Sequence, residues 1–353
     1  MKTRILVIGP SAHDSKGGMA TVIEEIQEDR KLNKTFKLDV YPSYRDGNKI
    51  LVLFYSFFAY CFFYFTKRNY DIYHIHMASR GSTFRKGYYV KAAKRWGKKV
   101  ILHIHGAQYM EFYHALPIKK RKKVIELLKS ADCVIALSKE WKKKFDDEFG
   151  LANCLVIENG INMNRLKSAQ NSTSYHNHTF LALGRLGKRK GSYDLVQAAE
   201  IVSKEVKDLK VLMAGDGETQ EIQRLIEKKN LQNYVKVLGW ADFQTKLNLL
   251  KECATVVLPS YNEGLPMAIL EGMAAGKAVI STYVGAIPEV IKEENGFLIE
   301  AGDINALAEA MIRCSTDGQK LEEISRNNVK KIQDQFSMEI MHKKLEKIYE
   351  SVL

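Results

Sequence analysis

Pro259-Ser260-Tyr261-Asn262-Glu263-Gly264-Leu265-Pro266-Met267-Ala268-Ile269-Leu270-Glu271-Gly272-Met273-Ala274-Ala275-Gly276 follows directly on Ala254-Thr255-Val256-Val257-Leu258. The short apolar run reads as a buried strand. Met267 to Ala275 is rich in helix formers, and Pro266 suits the first helical position, where a missing N–H costs nothing. The unit is therefore strand, loop, helix start. In open α/β sheets, ligands bind at that junction, outside the carboxyl ends of the strands.

The residues restrict what such a junction can hold. Gly264 lets the backbone come close to a ligand, and free amides at a helix start favour an anion such as phosphate. Glu263 and Glu271 would repel a phosphate that touched them. Ionised carboxylates only accept hydrogen bonds, so their partners in a site would be neutral hydroxyls. A diphosphate flanked by polyols, as in a nucleotide sugar, meets both demands. On spacing alone, an ordinary strand–helix junction with two surface glutamates explains the stretch equally well.

A chain of 353 residues is long for one domain and comfortable for two. Its five cysteines are scattered, with no Cys-x-x-Cys pair. That points to a reducing compartment and to neither a disulfide framework nor a zinc site. Met1 to Gly9 runs straight into a strand with no apolar signal region, so a cytoplasmic location is expected. The net charge of +13 is uneven. Residues 1–165 hold 30 Lys and Arg against 16 Asp and Glu, and the remainder holds 24 against 25. Lys119-Lys120-Arg121-Lys122-Lys123 is the densest basic run. Such a field attracts nucleic acid or an anionic lipid surface.

The stretch 50–65, Ile-Leu-Val-Leu-Phe-Tyr-Ser-Phe-Phe-Ala-Tyr-Cys-Phe-Phe-Tyr-Phe, decides between those partners. As a helix it spans about 24 Å, short of a bilayer core of about 30 Å. It is either a helix buried on the sheet or one dipped into a membrane interface, and one face can do each. Its aromatics are not interleaved with basic residues as in RNA-binding motifs. The expected partner is an anionic membrane surface, not nucleic acid.

Strand and helix signals alternate along the chain, which predicts parallel sheets with helices on both faces. Strands are expected at 4–8, 36–41, 72–75, 100–105, 133–136 and 154–157, then at 179–183, 211–214, 235–238, 255–258, 278–281 and 296–299. Helices are expected at 21–29, 87–96, 118–129 and 139–148. The polar run 168–178 reads as a linker. The fold class is α/β, two doubly wound Rossmann-like domains at 1–167 and 179–335, with a terminal helix at 336–353.

Glycine-rich turns fall at strand ends. Gly9-Pro10-Ser11 leads through Lys16-Gly17-Gly18-Met19 into a helix, without the dinucleotide fingerprint Gly-x-Gly-x-x-Gly or a Walker lysine. Gly184-Arg185-Leu186-Gly187-Lys188-Arg189-Lys190-Gly191 puts Arg185 and Lys190 near a helix start, a guanidinium fork and a point charge for a diphosphate. No Asp-x-Asp metal motif or clustered ligand set is evident, so no metal requirement is expected. His105, last before Gly106 at a strand end, is the histidine best placed to meet a ligand. His74, His76 and His103 read equally well as core residues. No Gly-x-Ser-x-Gly elbow is present.

Taken together, Gly17-Gly18, His105-Gly106, Val156-Ile157-Glu158-Asn159-Gly160-Ile161-Asn162, Gly184-Arg185-Leu186 with Lys190-Gly191, Gly215-Asp216-Gly217-Glu218, the Glu263–Glu271 block and Val284-Gly285-Ala286-Ile287-Pro288-Glu289 resemble glycosyltransferase family 4. Those are retaining enzymes of the GT-B fold that use nucleotide sugars. The resemblance implies that Arg185 and Lys190 hold the donor diphosphate, approached by Gly17 and Gly18 and by the backbone around Gly264, Leu265 and Pro266. It implies Glu271 at the ribose, Glu263 at the transferred sugar and His105 near the anomeric centre. It also implies front-face substitution, with the leaving phosphate oxygen taking the acceptor's proton, and a terminal helix packed on the first domain.

A second likeness, to bacterial capsule and exopolysaccharide transferases, involves Ser79-Arg80-Gly81-Ser82-Thr83-Phe84-Arg85-Lys86-Gly87. It implies a lipid-diphosphate-linked glycan as acceptor, met by Ser79, Arg80, Ser82, Arg85 and Lys86, on a chain peripheral to the inner face of the membrane. The expected donor is a UDP-sugar. A nucleotide-sugar epimerase of the same fold, or a non-catalytic nucleotide-sugar-binding subunit, is the alternative. Reversing the charges at Lys119, Lys120, Arg121, Lys122 and Lys123 is expected to weaken co-sedimentation with anionic vesicles and leave neutral vesicles unaffected.

Overall fold

The computed structural model describes residues 2–11, 15, 17–45, 47–170 and 176–353. The chain divides into two compact units, Met1–Gly160 with Met338–Leu353, and Ile161–Ser337. Each is built on a six-stranded parallel sheet flanked by helices, the GT-B architecture.

In the first unit the strands are β1 (Arg4–Pro10), β2 (Lys37–Tyr44), β3 (Ile72–Met77), β4 (Lys99–Ile104), β5 (Cys133–Ala136) and β6 (Cys154–Val156), in the order β2-β1-β3-β4-β5-β6. In the second they are β7 (His176–Leu183), β8 (Lys210–Ala214), β9 (Val235–Gly239), β10 (Cys253–Leu258), β11 (Ala278–Thr282) and β12 (Gly296–Ile299), in the order β12-β11-β10-β7-β8-β9. The chain therefore winds outward in two directions from β1 and again from β7. Loops diverge at such a reversal and leave a crevice at the carboxyl ends of the two central strands.

All twelve expected strands are present; the central ones, such as β3, β4, β10 and β11, are buried on both faces and leave near-continuous apolar sequence, whereas β2 and β9 are partly exposed. The helices are less faithful to expectation. One begins at Gly81, not near residue 87, and runs to Arg95. Gly87 is tolerated inside it because a Cβ there would press on Leu127 at 3.3 Å. Its start is held by Thr83 Oγ1, which donates to the Ala78 carbonyl, and by Ser82 Oγ, which accepts from the Ala78 amide. Of the expected linker, Ser168 to Gln170 close the helix Met163–Gln170 and His176 to His178 open β7; 171–175 lie outside the described residues.

The aromatic stretch forms the helix Lys49–Thr66. Ser56, Ala59 and Phe63 make a buried stripe at helical spacing. Phe63 is fully buried among Tyr41, Tyr60, Tyr73, Tyr89 and Trp96. The other side is bare, with Phe54, Phe57, Phe58, Phe62 and Phe65 all more than half exposed. No helix among the described residues is long and apolar enough to cross a membrane.

The terminal helix Met338–Ser351 belongs to the first unit. Tyr349 is buried against Phe36 and His74, and Lys344 pairs with Glu158. Gly160 lies beneath this helix, where a Cβ would come within 2.7 Å of Met338 Sδ. The Glu158-Asn159-Gly160 motif thus serves as the helix's seat. Phe63→Ala is expected to cost about 3–5 kcal/mol of stability, and Phe62→Ala less than about 0.5 kcal/mol, in urea unfolding.

Candidate active site

In the second unit the candidates gather at the carboxyl ends of β7, β8 and β10, on the crevice where the chain reverses. The turn after β7 is stitched to its neighbours by backbone. Gly184 N donates to the Ala214 carbonyl at 3.0 Å and Leu186 N to the Asp216 carbonyl at 2.6 Å. Gly215 approaches so closely that a Cβ would fall 1.7 Å from the Gly184 carbonyl oxygen. On the other side Tyr261 N donates to the Arg189 carbonyl at 2.9 Å. Gly191, at φ +66°, packs where a Cβ would meet the Pro259 oxygen at 2.0 Å. These approaches require glycine and place the basic turn against the loop after β10.

Glu263 is 6% exposed and accepts from Lys190 Nζ at 2.5 Å, with Arg189 Nη1 at 3.7 Å. Gly285 packs on its carbonyl at φ +53°, and Ala286 N donates to the Gly264 carbonyl at 3.0 Å. Gly264, Leu265 and Pro266 are buried beside it. Pro266 caps the helix Met267–Ala274 as its preceding residue, not as its first. Arg185 is exposed, with no ion-pair partner among the described residues. The site thus combines a cation open to solvent with a lysine already engaged by a buried carboxylate.

Glu271, 8% exposed, is paired with Lys246 of the helix Phe243–Glu252. Lys246 also lies 5.6 Å from the centroid of the Phe243 ring, on which Arg165 stacks at 4.3 Å. Sequence reasoning missed Lys246. It lies in no glycine-rich turn, and only the packing of that helix beside the β10 loop brings it to Glu271.

In the first unit His105 and Gly106 follow β4, and Gly106 abuts the Ser79 amide, 2.8 Å from where a Cβ would stand. The backbone of Ala78 and Ser79 therefore lies beside Gly106. Arg80 takes φ +61°, a left-handed conformation costly for a residue with a Cβ. The Arg85 guanidinium stacks 5.2 Å from the Tyr44 ring centroid. Lys86 is interior instead, donating to Ser43 Oγ, which donates to the Gly9 carbonyl at 2.8 Å. Burial, with Arg85 alongside, lowers its pKa to about 7. Gly17, at φ +120°, precedes the helix Gly18–Glu28, and residues 12–14 and 16 lie outside the described residues.

His74, His76 and His103 bring ring nitrogens within 4.8 Å of one another. Their planes lie within 6–34° of each other, and His74 Nε2 and His103 Nδ1 stand 3.3 Å apart.

Two family models cover most of the chain: glycosyl transferases group 1 over residues 165–331, and glycosyltransferase family 4 over residues 21–165. The chain belongs to glycosyltransferase family 4. A galactosyltransferase of Escherichia coli, named UDP-Gal:alpha-D-GlcNAc-diphosphoundecaprenol alpha-1,3-galactosyltransferase, is 28% identical over 80% of this chain and 76% of its own. A capsular polysaccharide biosynthesis glycosyltransferase of Staphylococcus aureus is 28% identical over 58% of this chain and 54% of its own. Among solved structures, sucrose-phosphate synthase from Thermosynechococcus elongatus aligns with a TM-score of 0.82 at 19% identity over 99% of both chains. Anabaena HepE, in complex with UDP and glucose, aligns at 0.77 and 21% identity over 99% of this chain and 100% of its own. At that identity the two structures establish the fold. The protein is a glycosyltransferase.

Lys246→Met leaves the Glu271 carboxylate in the interior without its cation. It is expected to destabilise the second unit by up to about 3 kcal/mol in urea unfolding, and Glu271→Leu in the same chain to recover most of that loss.

Proposed function

We propose that this glycosyltransferase is a retaining enzyme that moves a sugar from a UDP-sugar to a lipid-diphosphate-linked glycan at the inner face of the membrane. The observation that carries the donor half is the convergence of Lys190, Arg189 and Arg185 with buried Glu263 on the β7/β10 crevice. A diphosphate arriving there meets Arg185 directly and competes with Glu263 for Lys190. Releasing Glu263 frees its oxygens for sugar hydroxyls, and Glu271 serves the ribose in the same way. Arg185 and Lys190 then stabilise the charge that develops on the departing phosphate oxygen, which takes the acceptor's proton in front-face substitution. His105 donates to the transferred sugar. Gly17 and Gly18 approach the phosphates, and no metal is required.

The acceptor half draws on the first unit. The name of the Escherichia coli relative specifies a diphosphoundecaprenol acceptor. Arg80 and Arg85, with Ser79 and Ser82, offer cations and hydroxyls for such a diphosphate, while Lys86 is held in the interior by Ser43. The bare aromatic side of the helix Lys49–Thr66 and the exposed lysines at 119, 120, 122 and 123 suit an anionic bilayer surface, apolar rings in the interface and cations at headgroups.

UDP release from a panel of UDP-sugars is expected to depend on an added lipid-diphosphate glycan. Glu271→Ala should raise the donor KM about tenfold with little change in kcat, and Glu263→Ala should lower kcat at least about tenfold. A sugar epimer formed without acceptor would identify an epimerase instead.

A further inference from the structure

Four imidazoles line one face of β3 and β4. His76 lies opposite His103 in the parallel register, and His74 and His105 extend the two columns. The rings stack with centroids 4.2–5.4 Å apart. Two diagonal bonds cross between the strands. His74 Nε2 meets His103 Nδ1 at 3.3 Å, and His76 Nδ1 meets His105 Nε2 at 2.9 Å. His74 is tied in turn to Tyr349 Oη at 2.8 Å. The second bond is the one that reaches the partly exposed ring, His105.

Which ring donates follows from what surrounds His76. Burial holds both rings neutral near pH 7, pushing His105 down to about 3 and His76, with His74 beside it, well below the ordinary range. A neutral imidazole has one N–H and one bare nitrogen, so one ring of the pair donates and the other accepts. Nε2 of His76 is buried and has no partner among the described residues. A proton on it would be an orphaned buried donor, and a bare lone pair there is the smaller cost. The His76 proton therefore sits on Nδ1, facing His105.

We propose that His76 is a positioning residue whose Nδ1–H donates to Nε2 of His105, fixing the His105 ring as the Nδ1–H tautomer. The inference rests on the reading of His105 as a residue that touches the transferred sugar. With Nε2 engaged, His105 meets a ligand oxygen through Nδ1–H, as a neutral donor with a set ring plane. It has no free lone pair with which to take a proton. That is the behaviour front-face substitution asks of it, since the departing phosphate oxygen removes the acceptor's proton.

The test uses the full chain labelled with [15N]histidine. Ring correlation spectra are recorded between about pH 6 and 8, with the His105 signals assigned by their loss in His105→Gln. The wild-type His105 is expected to show a protonated Nδ1 and a bare Nε2. His76→Phe, which keeps ring bulk but removes the donor, should move His105 toward the Nε2–H form. It should also lower kcat about tenfold while the donor KM changes less than about threefold. His76→Asn, whose amide nitrogen stands where Nδ1 stood, should restore both. An Nε2–H tautomer in the wild type, or an unchanged tautomer in His76→Phe, overturns the proposal. The wild-type spectrum and His76→Asn keep it testable where His76→Phe does not fold. Full turnover in His105→Gln would instead overturn the role of His105 in transfer, whatever tautomer the spectra show.

Discussion

The ion pair between Lys190 and Glu263 makes the demand that the rest of the second unit is arranged to meet. A carboxylate that is 6% exposed is costly to bury unless a cation reaches it. Lys190 reaches it because the turn after β7 lies flat against the loop after β10. That packing is possible because Gly191 has no Cβ to strike the Pro259 carbonyl, and Gly285 none to strike Glu263. Both glycines hold positive φ, so neither space nor backbone would accept a side chain. Underneath lies the strand order: only because β10 pairs with β7 do two loops distant in the chain share one crevice.

The first unit repeats the architecture and loads it differently. Its central sheet presents Tyr73, Ile75 and Met77 of β3 to an aromatic core on one side and His74 and His76 on the other. The two-residue period of a strand separates the faces without extra machinery. The aromatic face anchors half of the helix Lys49–Thr66 and leaves the other half to solvent. The imidazole face is held neutral by burial and tied through Tyr349 to the terminal helix. A single pair of strands thus anchors the half-exposed aromatic helix on one face and carries the imidazoles on the other.

Much of this was legible in the residues. The central strands are apolar runs buried on both faces, and the alternation of strand and helix signals carries the outer ones, so twelve strands and the doubly wound class could be read directly. Arg185, Lys190, Glu263 and Gly264 could be found because glycine-rich turns at strand ends are local features. The start of the helix at Gly81 was hidden, because Ser82 and Thr83 stabilise it through hydrogen bonds back to Ala78, and Gly87 within it looks like a boundary. The stretch 50–65 was legible as a helix able to put one face in the core and one outside, but not which residues face inward, since its stripe of Ser56, Ala59 and Phe63 is faint against aromatics on every side.

By itself the sequence determined the order of strands and helices, the family, and which turns hold cations and carboxylates, because each of those is written in neighbouring residues. Only the tertiary structure decided that Glu263 and Glu271 are buried and paired with Lys190 and Lys246, that Lys86 is interior, and that His76 faces His105. Those are pairings between residues 25 to 73 positions apart, or, for Lys86, a matter of burial. They follow from strand order and from close backbone approach at glycine, which no local pattern encodes.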